Sequence, residues 1–481
     1  MTPKHRQDPL AEPPEGDFTE ARPAPGRRPA RTPWTDISRR RADAAPDTTA
    51  PPPPPPPPGK VGHRGAPPVS WRTQALRSAR RLHGLDLARF LALAGMMAVH
   101  VWADAINDRG LGGFIGTVVA GNAAAVFAFL AGITLIFLSG GSRGARGRDL
   151  QRARVGIAVR AVMLLVIGLG LNLIDFPAYD ILPYYAMLFL LAIPLLGLGP
   201  TALALCAVAA LLIGPVLRMV LVSTGTPVPD FDPTLVSLFT RPGPTLVQLF
   251  VTGTYPAITW MAYVCAGMAA ARLNLFDRQR QAFVAVGGLA ATGVAAGLSW
   301  AALHVWDGRE RIAEVTGIRP DLVELRASRG LSAEMLSTTP WWLAARGPHL
   351  DTPLSTLHAV GVAAAVVGFV LVLTSGLMRP DGSLPAWTEP LRAAGSMSLT
   401  VYVSHLLLLT VPGWEEWRGW FFVGQLVLLV SFATLWRRVS AQGPLETVVS
   451  RVPKAVARAL VPGRAAGAGQ DYEPLEARGP R

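Results

Sequence analysis

The chain has 481 residues, of which 50% are hydrophobic and only 16% are charged, and its mean hydropathy of +0.33 is atypical of a soluble globular protein. The formal net charge of +13 suggests nucleic acid, but residues 1–83 hold 15 Lys and Arg against 8 Asp and Glu, and residues 437–481 hold 8 against 4. The excess positive charge therefore lies in two tails, where it suits an anionic membrane surface, and no nucleic-acid partner is expected.

Residues 1–82 are predicted to be a disordered, Pro/Arg-rich cytoplasmic tail. They have almost no apolar periodicity, and residues 51–58 are an unbroken run of proline, which favours an extended, solvated helix. A linker is the favoured interpretation of this run, and a docking site for a proline-binding partner is the alternative. A short apolar stretch with a small-residue cleavage site is not found here, so we expect the first helix to direct membrane insertion.

Apolar runs recur from residue 85 onward, each of roughly 18 to 25 residues and long enough to cross about 30 Å of hydrocarbon. They predict an all-α, polytopic membrane helix bundle of about ten transmembrane helices, occupying residues 83–436. The expected location is the cell membrane, with surrounding lipids as partners. The predicted spans are 85–104, 113–138, 153–174, 181–198, 200–222, 246–271, 281–304, 354–377, 391–411 and 420–436.

The distribution of Lys and Arg over the short loops predicts the orientation of these spans. With ten spans, the most basic loops all fall on one side, which is then the cytoplasm; they are 72–81, 143–154, 272–280 and 437–438. Both termini are therefore expected inside the cell, and residues 437–481 are expected to be a flexible, basic cytoplasmic tail.

The opposite side carries one long loop, residues 305–353, in which seven acidic residues balance six arginines. Trp341 and Trp342 follow Pro340 in this loop. Paired tryptophans beside a membrane helix are typical of the lipid–water interface, so they are expected to anchor the loop there.

Ionisable residues open the first predicted span, where they are costly and by default indicate a site. Arg89 and His100 share one helix face, about 20° apart around the axis and roughly 16 Å apart along it. Asp86 is spaced to hold the Arg89 guanidinium, and Asp104 is spaced to accept a proton from the His100 ring. Two interpretations are open: a general base oriented by Asp104, or an interfacial salt bridge beside a histidine that only joins helices.

A second group of polar side chains lies in the ninth predicted span. Tyr402 and His405 are three residues apart and therefore lie on one helix face. The phenol and the imidazole could bind an acceptor hydroxyl group, or they could bridge helices. The two cysteines, Cys206 and Cys265, lie inside apolar runs and are expected to be packing residues, and no metal-binding motif is found.

These two segments resemble the membrane-bound acyltransferase-3 family and its heparan-α-glucosaminide N-acetyltransferase-like and YeiB-like relatives. The resemblance begins with Leu-Asp-x-x-Arg, residues 85–89, followed by His100, and it continues with the late Ser-x-x-x-Tyr-x-x-His, residues 398–405. Further similar features between residues 81 and 450 are Asn122 with the Phe-rich run 127–132, Tyr255-Pro256 with Trp260, and the Gly-Pro-Leu-Glu of residues 443–446. Phe90 stands where the family has glycine.

The resemblance implies a membrane-bound acyltransferase. Its substrates would be a cytoplasmic acyl-CoA, acetyl-CoA above all, and an extracytoplasmic glycan or lipid-linked sugar. His100 would deprotonate the acceptor or relay the acyl group, and Arg89 would meet the anionic donor. The expected site residues are His100 and Asp104 for catalysis, Arg89 and Asp86 for the donor, and Tyr402, His405 and Asn122 for the substrate, with no metal.

Two other classes of protein fit the same residues. A transporter or permease would use the polar stripe to bind substrate or to relay protons, although no internal repeat typical of transporters is found. A family member without catalytic activity would only bind partner proteins. Acyl transfer by the purified protein, abolished by a change at His100, would distinguish the enzyme from both.

The orientation can be tested with reporter fusions. A reporter fused after residue 40 or after residue 465 should report the cytoplasm, and one inserted near Ser328 should report the opposite side, because of the Lys and Arg bias of the loops. The measurement is the activity of a compartment-specific reporter enzyme in cells. If one tail were found outside the cell and the other inside, the number of spans would have to be odd, and the count of ten would be wrong.

Overall fold

The computed structural model describes residues 82–103, 110–229 and 231–462. Within these ranges the chain is an all-α helix bundle without any strand, as predicted. The predicted tail of residues 1–82 lies outside the described residues apart from Leu82, and so do Asp104 and residues 463–481.

Twelve helices form the framework of the described ranges. They are α1 (His83–Val101), α2 (Asn122–Leu138), α3 (Gly147–Leu171), α4 (Leu182–Ala192), α5 (Pro200–Ser223), α6 (Ala257–Arg272), α7 (Arg278–His304), α8 (Pro353–Leu377), α9 (Glu389–Ser396), α10 (Ser398–Leu408), α11 (Arg418–Trp436) and α12 (Pro444–Leu460). Shorter helical turns connect them, among them Leu235–Thr240 and Pro242–Val247 before α6.

The helices confirm a multi-pass membrane protein. In the described part of the chain, six helices are long and apolar enough to cross a membrane, and a bent pair makes a seventh candidate. The three remaining predicted spans fall on shorter apolar helices, Asn122–Leu138, Leu182–Gly197 and Ser398–Leu408. The count of ten and the sides of the termini therefore stay predictions.

The sixth predicted span, 246–271, is wrong as a single continuous helix. The chain forms a π-helical turn at Gln248–Thr252, leaves helical geometry, and restarts as α6, with a bend of 46° between the two parts. Pro256 immediately precedes α6 and has no N–H to continue a helix from the residues before it. The ninth predicted span is also broken, at Met397 between α9 and α10.

Residues 305–352 fold around a small core of their own. Three short helices, Gly308–Thr316, Val323–Ser328 and Ala333–Leu336, surround Trp342, whose side chain is fully buried. The expectation that both tryptophans anchor the loop at the interface is therefore wrong for Trp342. Burial of this large aromatic ring together with Ile312, Val323, Leu336 and Leu350 stabilises the segment.

Close helix crossings hold α2 against α6. A Cβ atom at Gly132 would lie 2.1 Å from the Val264 carbonyl oxygen, and one at Gly267 would lie 2.0 Å from that of Phe129. Only glycine permits backbones to approach this closely, and such small-residue contacts are a principal means of helix association in membranes. Helix α1 packs against α2, α8 and α9, and its polar face therefore points into the bundle.

Helix α12 corrects the expectation of a flexible C-terminal tail for residues 444–460. It packs on α3, and its buried side is formed by Val449, Pro453 and Ala457. The Glu446 carboxylate accepts hydrogen bonds from the backbone N–H of Leu399 at 2.7 Å and from the N–H and hydroxyl groups of Thr400 at 3.1 and 2.6 Å. Glu446 therefore caps the first turn of α10, which carries Tyr402 and His405.

Replacement of Glu446 by alanine should destabilise the bundle. The substitution leaves the first N–H groups of α10 without their acceptor, and loss of a helix cap with charged hydrogen bonds costs about 2 kcal/mol. We expect the melting temperature of the detergent-solubilised protein to fall by several degrees. Glu415→Ala, at an exposed acidic position, is the control, and equal melting temperatures for the two variants would contradict the capping role.

Candidate functional site

A partly buried histidine and a fully buried one, from distant parts of the chain, meet in the bundle. Nδ1 of His100 on α1 lies 3.0 Å from Nε2 of His405 on α10, and the rings stack with centroids 5.2 Å apart. Nδ1 of His405 lies 2.7 Å from Oε1 of Gln425 on α11. His405 and Gln425 are buried, whereas His100 is partly exposed, so His100 is the accessible end of this row.

The row fixes which nitrogen of His100 is free to react. Oε1 of Gln425 can only accept, so in this amide orientation Nδ1 of His405 donates to it. Nε2 of His405 must then accept, and Nδ1 of His100 donates to it. Nε2 of His100 therefore carries the lone pair, which is the state needed for a general base or a nucleophile.

An arginine-lined cavity opens below this row, at the end of the bundle where α1 begins and α12 lies; we call this the α12 end. Nη1 of Arg89 donates to Oδ1 of Asp86 at 2.8 Å, and Nη2 donates to the Thr134 hydroxyl at 2.8 Å. Arg89 and Arg160 both line the cavity, which has a volume of about 250 Å³, and Glu446 of α12 lies at its wall. Two cations in one cavity make it suited to an anionic ligand.

Tyr402 forms the innermost part of this cavity, one turn before His405 on α10. Its hydroxyl donates to Oδ1 of Asp180 at 3.3 Å and accepts from the Ile181 N–H at 3.3 Å. Asp180 lies in the segment between α3 and α4, and burial raises the pKa of its carboxyl group to about 7. Tyr402 thus joins the cavity lining to a buried carboxyl group of unusually high pKa.

Two further cavities open at the opposite end of the bundle, with volumes of about 280 and 520 Å³. His349 and Pro348 line both of them, and Val99, the neighbour of His100, lines the larger one. Asn122 lines the smaller one, and its amide group donates to the Val118 carbonyl at 3.0 Å.

Residues 345–352, which we call the His349 loop, are held by buried polar contacts. Asp351 accepts from the indole N–H of Trp260 at 2.9 Å and from Nη1 of Arg218 at 3.4 Å. Burial raises the pKa of Asp351 to about 6, although Arg218 and Trp260 oppose this shift. The Tyr255 ring meets the His349 ring edge to face at 5.4 Å. The loop is therefore fixed to α5 and α6.

The structure brings some of the predicted site residues together and separates others. His100 meets His405, and Asp86 holds Arg89, as their spacing predicts. Asn122 lies at the opposite end of the bundle from the Arg89 cavity. Asp104, the predicted partner of His100, lies outside the described residues, and the described partner of Nδ1 is His405.

Several residues around these cavities were not predicted from the sequence. Gln425, Asp180, His349 and Asp351 lie in segments without a recognisable motif. In the sequence, Tyr255 and Trp260 stand out only through the resemblance to the family. In the structure, both side chains contact the His349 loop.

Two family models match the chain. The model described as heparan-alpha-glucosaminide N-acetyltransferase, catalytic, matches residues 81–306, and one described as a protein of unknown function (DUF418) matches residues 327–453. Together, the two matches support a membrane acyltransferase-like family for this chain. A search of curated proteins found no match.

The two matches of this acyltransferase-like chain divide its site between them. His100, Arg89 and Trp260 lie in the first match, whereas His405, Gln425 and Asp351 lie in the second. The polar contacts described above therefore join the two matched regions to one another.

Proposed function

We propose that this protein is a membrane acyltransferase that moves an acetyl or other short acyl group from a cytoplasmic acyl-CoA to an extracytoplasmic glycan or lipid-linked sugar. The observation that carries the proposal is the position of the row formed by His100, His405 and Gln425. It lies between an arginine-lined cavity at the α12 end and the cavities at the opposite end.

The donor would enter the Arg89 cavity. Its volume of about 250 Å³ is small for a ligand site, so it suits the narrow thioester arm, while the nucleotide would remain at the mouth. Arg89 and Arg160 would attract the phosphates, and Asp86 and Thr134 keep the Arg89 guanidinium in position. The α12 end is the side on which the Lys and Arg bias predicts the cytoplasm.

His100 would act on the acyl group through Nε2. The hydrogen bond to His405 holds the ring in the tautomer with that lone pair free, and His405 is held in turn by Gln425. This arrangement has the logic of a catalytic triad, in which a base is oriented by a second group. Tyr402 and Asp180, one turn away, would contact the thioester end of the donor.

A specific observation also favours a transporter. The segment before α6 is broken and bent by 46°, and broken helices near a membrane midplane are typical of transporter binding sites. Cavities at opposite ends of a bundle also suit alternating access. Acyl-CoA consumption by the purified protein distinguishes the two functions, because a transporter would leave the thioester intact.

Replacement of His100 by alanine should abolish transfer while leaving the protein inserted. Loss of a general base costs about 10²- to 10⁴-fold in rate. The measurement is transfer of label from acetyl-CoA to cell-envelope glycans by membrane vesicles. His304→Ala, at a partly exposed histidine on α7, is the control and should transfer at the wild-type rate. Wild-type transfer by an inserted His100→Ala protein would favour the transporter.

Replacement of Arg89 or Arg160 by glutamine should weaken donor binding. A lost charged hydrogen bond to a phosphate costs about 1.5 to 3 kcal/mol, so the KM for acetyl-CoA should rise roughly 10- to 100-fold. The KM for the acceptor should stay unchanged, because these side chains lie at the other end of the bundle from the His349 cavities. An unchanged donor KM in both variants would remove the anion-binding role of this cavity.

A further inference from the structure

His349 is a second, partly buried histidine site that the His100 row does not include. Its Nδ1 atom is buried and has no hydrogen-bond partner in the described structure. The Thr254 backbone lies near the ring and opposes the effect of burial on the pKa of His349. Nδ1 is enclosed by protein, and the rest of the imidazole remains to contact a ligand.

The His349 side chain, rather than its buried Nδ1 atom, faces space that can hold a ligand. The side chain lines both cavities at the end opposite α12, and the larger one is also lined by Val99, next to His100. An acceptor molecule in these cavities would therefore lie between His349 and the end of α1 that carries His100.

The backbone at His349 is also held in an uncommon conformation. Its φ of 54° is in the left-handed region, which non-glycine residues rarely adopt, and Asp351 shares this feature with a φ of 53°. The contacts of Asp351 with Trp260 and Arg218 stabilise the loop in this form. A positive φ and a buried ring nitrogen without a partner, both on one residue, are features found at functional sites.

We infer that the two cavities lined by His349 bind the acceptor, a sugar hydroxyl or amino group, and that His349 is the base that takes its proton. The inference rests on the proposed function. In the transfer step the O–H or N–H proton moves to a ring nitrogen of His349, and the acceptor O or N bonds to the acyl carbon. The bond from that carbon to its carrier breaks, and the electron pair and finally the proton go to the carrier.

Charge and burial agree with this role. Burial, together with the nearby Arg218, lowers the pKa of His349 to about 4, so the ring is neutral at physiological pH and able to accept a proton. The acidic and basic groups that share these cavities are Asp232, Glu324, Glu334, Asp351, Arg218, Arg329, Arg346 and His358. Asp351 and Arg218 pair with each other, and Arg346 contacts His358. Among the described lining residues, His349 is then the histidine whose Nδ1 atom is buried without a hydrogen-bond partner.

The experiment compares two acceptors in membrane vesicles that contain the full chain and labelled acetyl-CoA. Cell-envelope glycans need a base to lose a proton, whereas hydroxylamine is an unprotonated nucleophile at neutral pH and needs none. His349→Asn retains a residue that tolerates a positive φ. We expect it to lower glycan transfer by about 100-fold and to change enzyme-dependent acetohydroxamate formation by less than about threefold.

Controls separate this inference from a structural effect and from the proposed function. His304→Asn should behave as wild type with both acceptors, and His100→Ala should lose both activities. His349→Gly, in which free imidazole can enter the cavity, should regain glycan transfer when imidazole is added. Wild-type glycan transfer by His349→Asn, or loss of both activities, would overturn the role of His349. A wild-type protein that transfers to neither acceptor would overturn the proposed function and this inference together.

Discussion

The hydrogen bond between His100 and His405 is the contact on which the arrangement of the bundle depends. An imidazole inside a membrane protein needs a partner for each N–H group, because no water is available in the hydrocarbon region. Here the two rings satisfy one another, and Gln425 accepts the last proton. This requirement fixes α1 beside α10 and places α11 behind them, although 304 residues separate the two histidines in the chain.

Buried polar contacts also join the two matched regions elsewhere in the bundle. Tyr402 contacts Asp180, and Asp351 contacts Trp260 and Arg218, so in each case one partner comes from the first match and the other from the second. Each contact pairs a group that would be costly to bury alone. The regions 81–306 and 327–453 are therefore two parts of one site, and neither carries the whole row of side chains.

The sequence predicts those features that depend on local spacing. The apolar runs locate the helices, and the three-residue spacing of Asp86 and Arg89 corresponds to a salt bridge at 2.8 Å. Breaks such as Gln248–Thr252 were missed because an apolar run does not reveal a change of helix type. The His349 loop was missed because its residues have no helical period, and because their partners, such as Trp260, lie far away in the chain.

Helix α1 has a consequence for how the protein is made. It is the least apolar of the six long membrane-capable helices in the described ranges, and it is also the one most buried inside the bundle. During synthesis α1 emerges before the other described helices, with Asp86, Arg89 and His100 exposed. His405, the partner of His100, is translated 305 residues later. The first helix therefore enters the membrane before the partner of His100 on α10 exists, and this polar contact forms only after α10 has been synthesised.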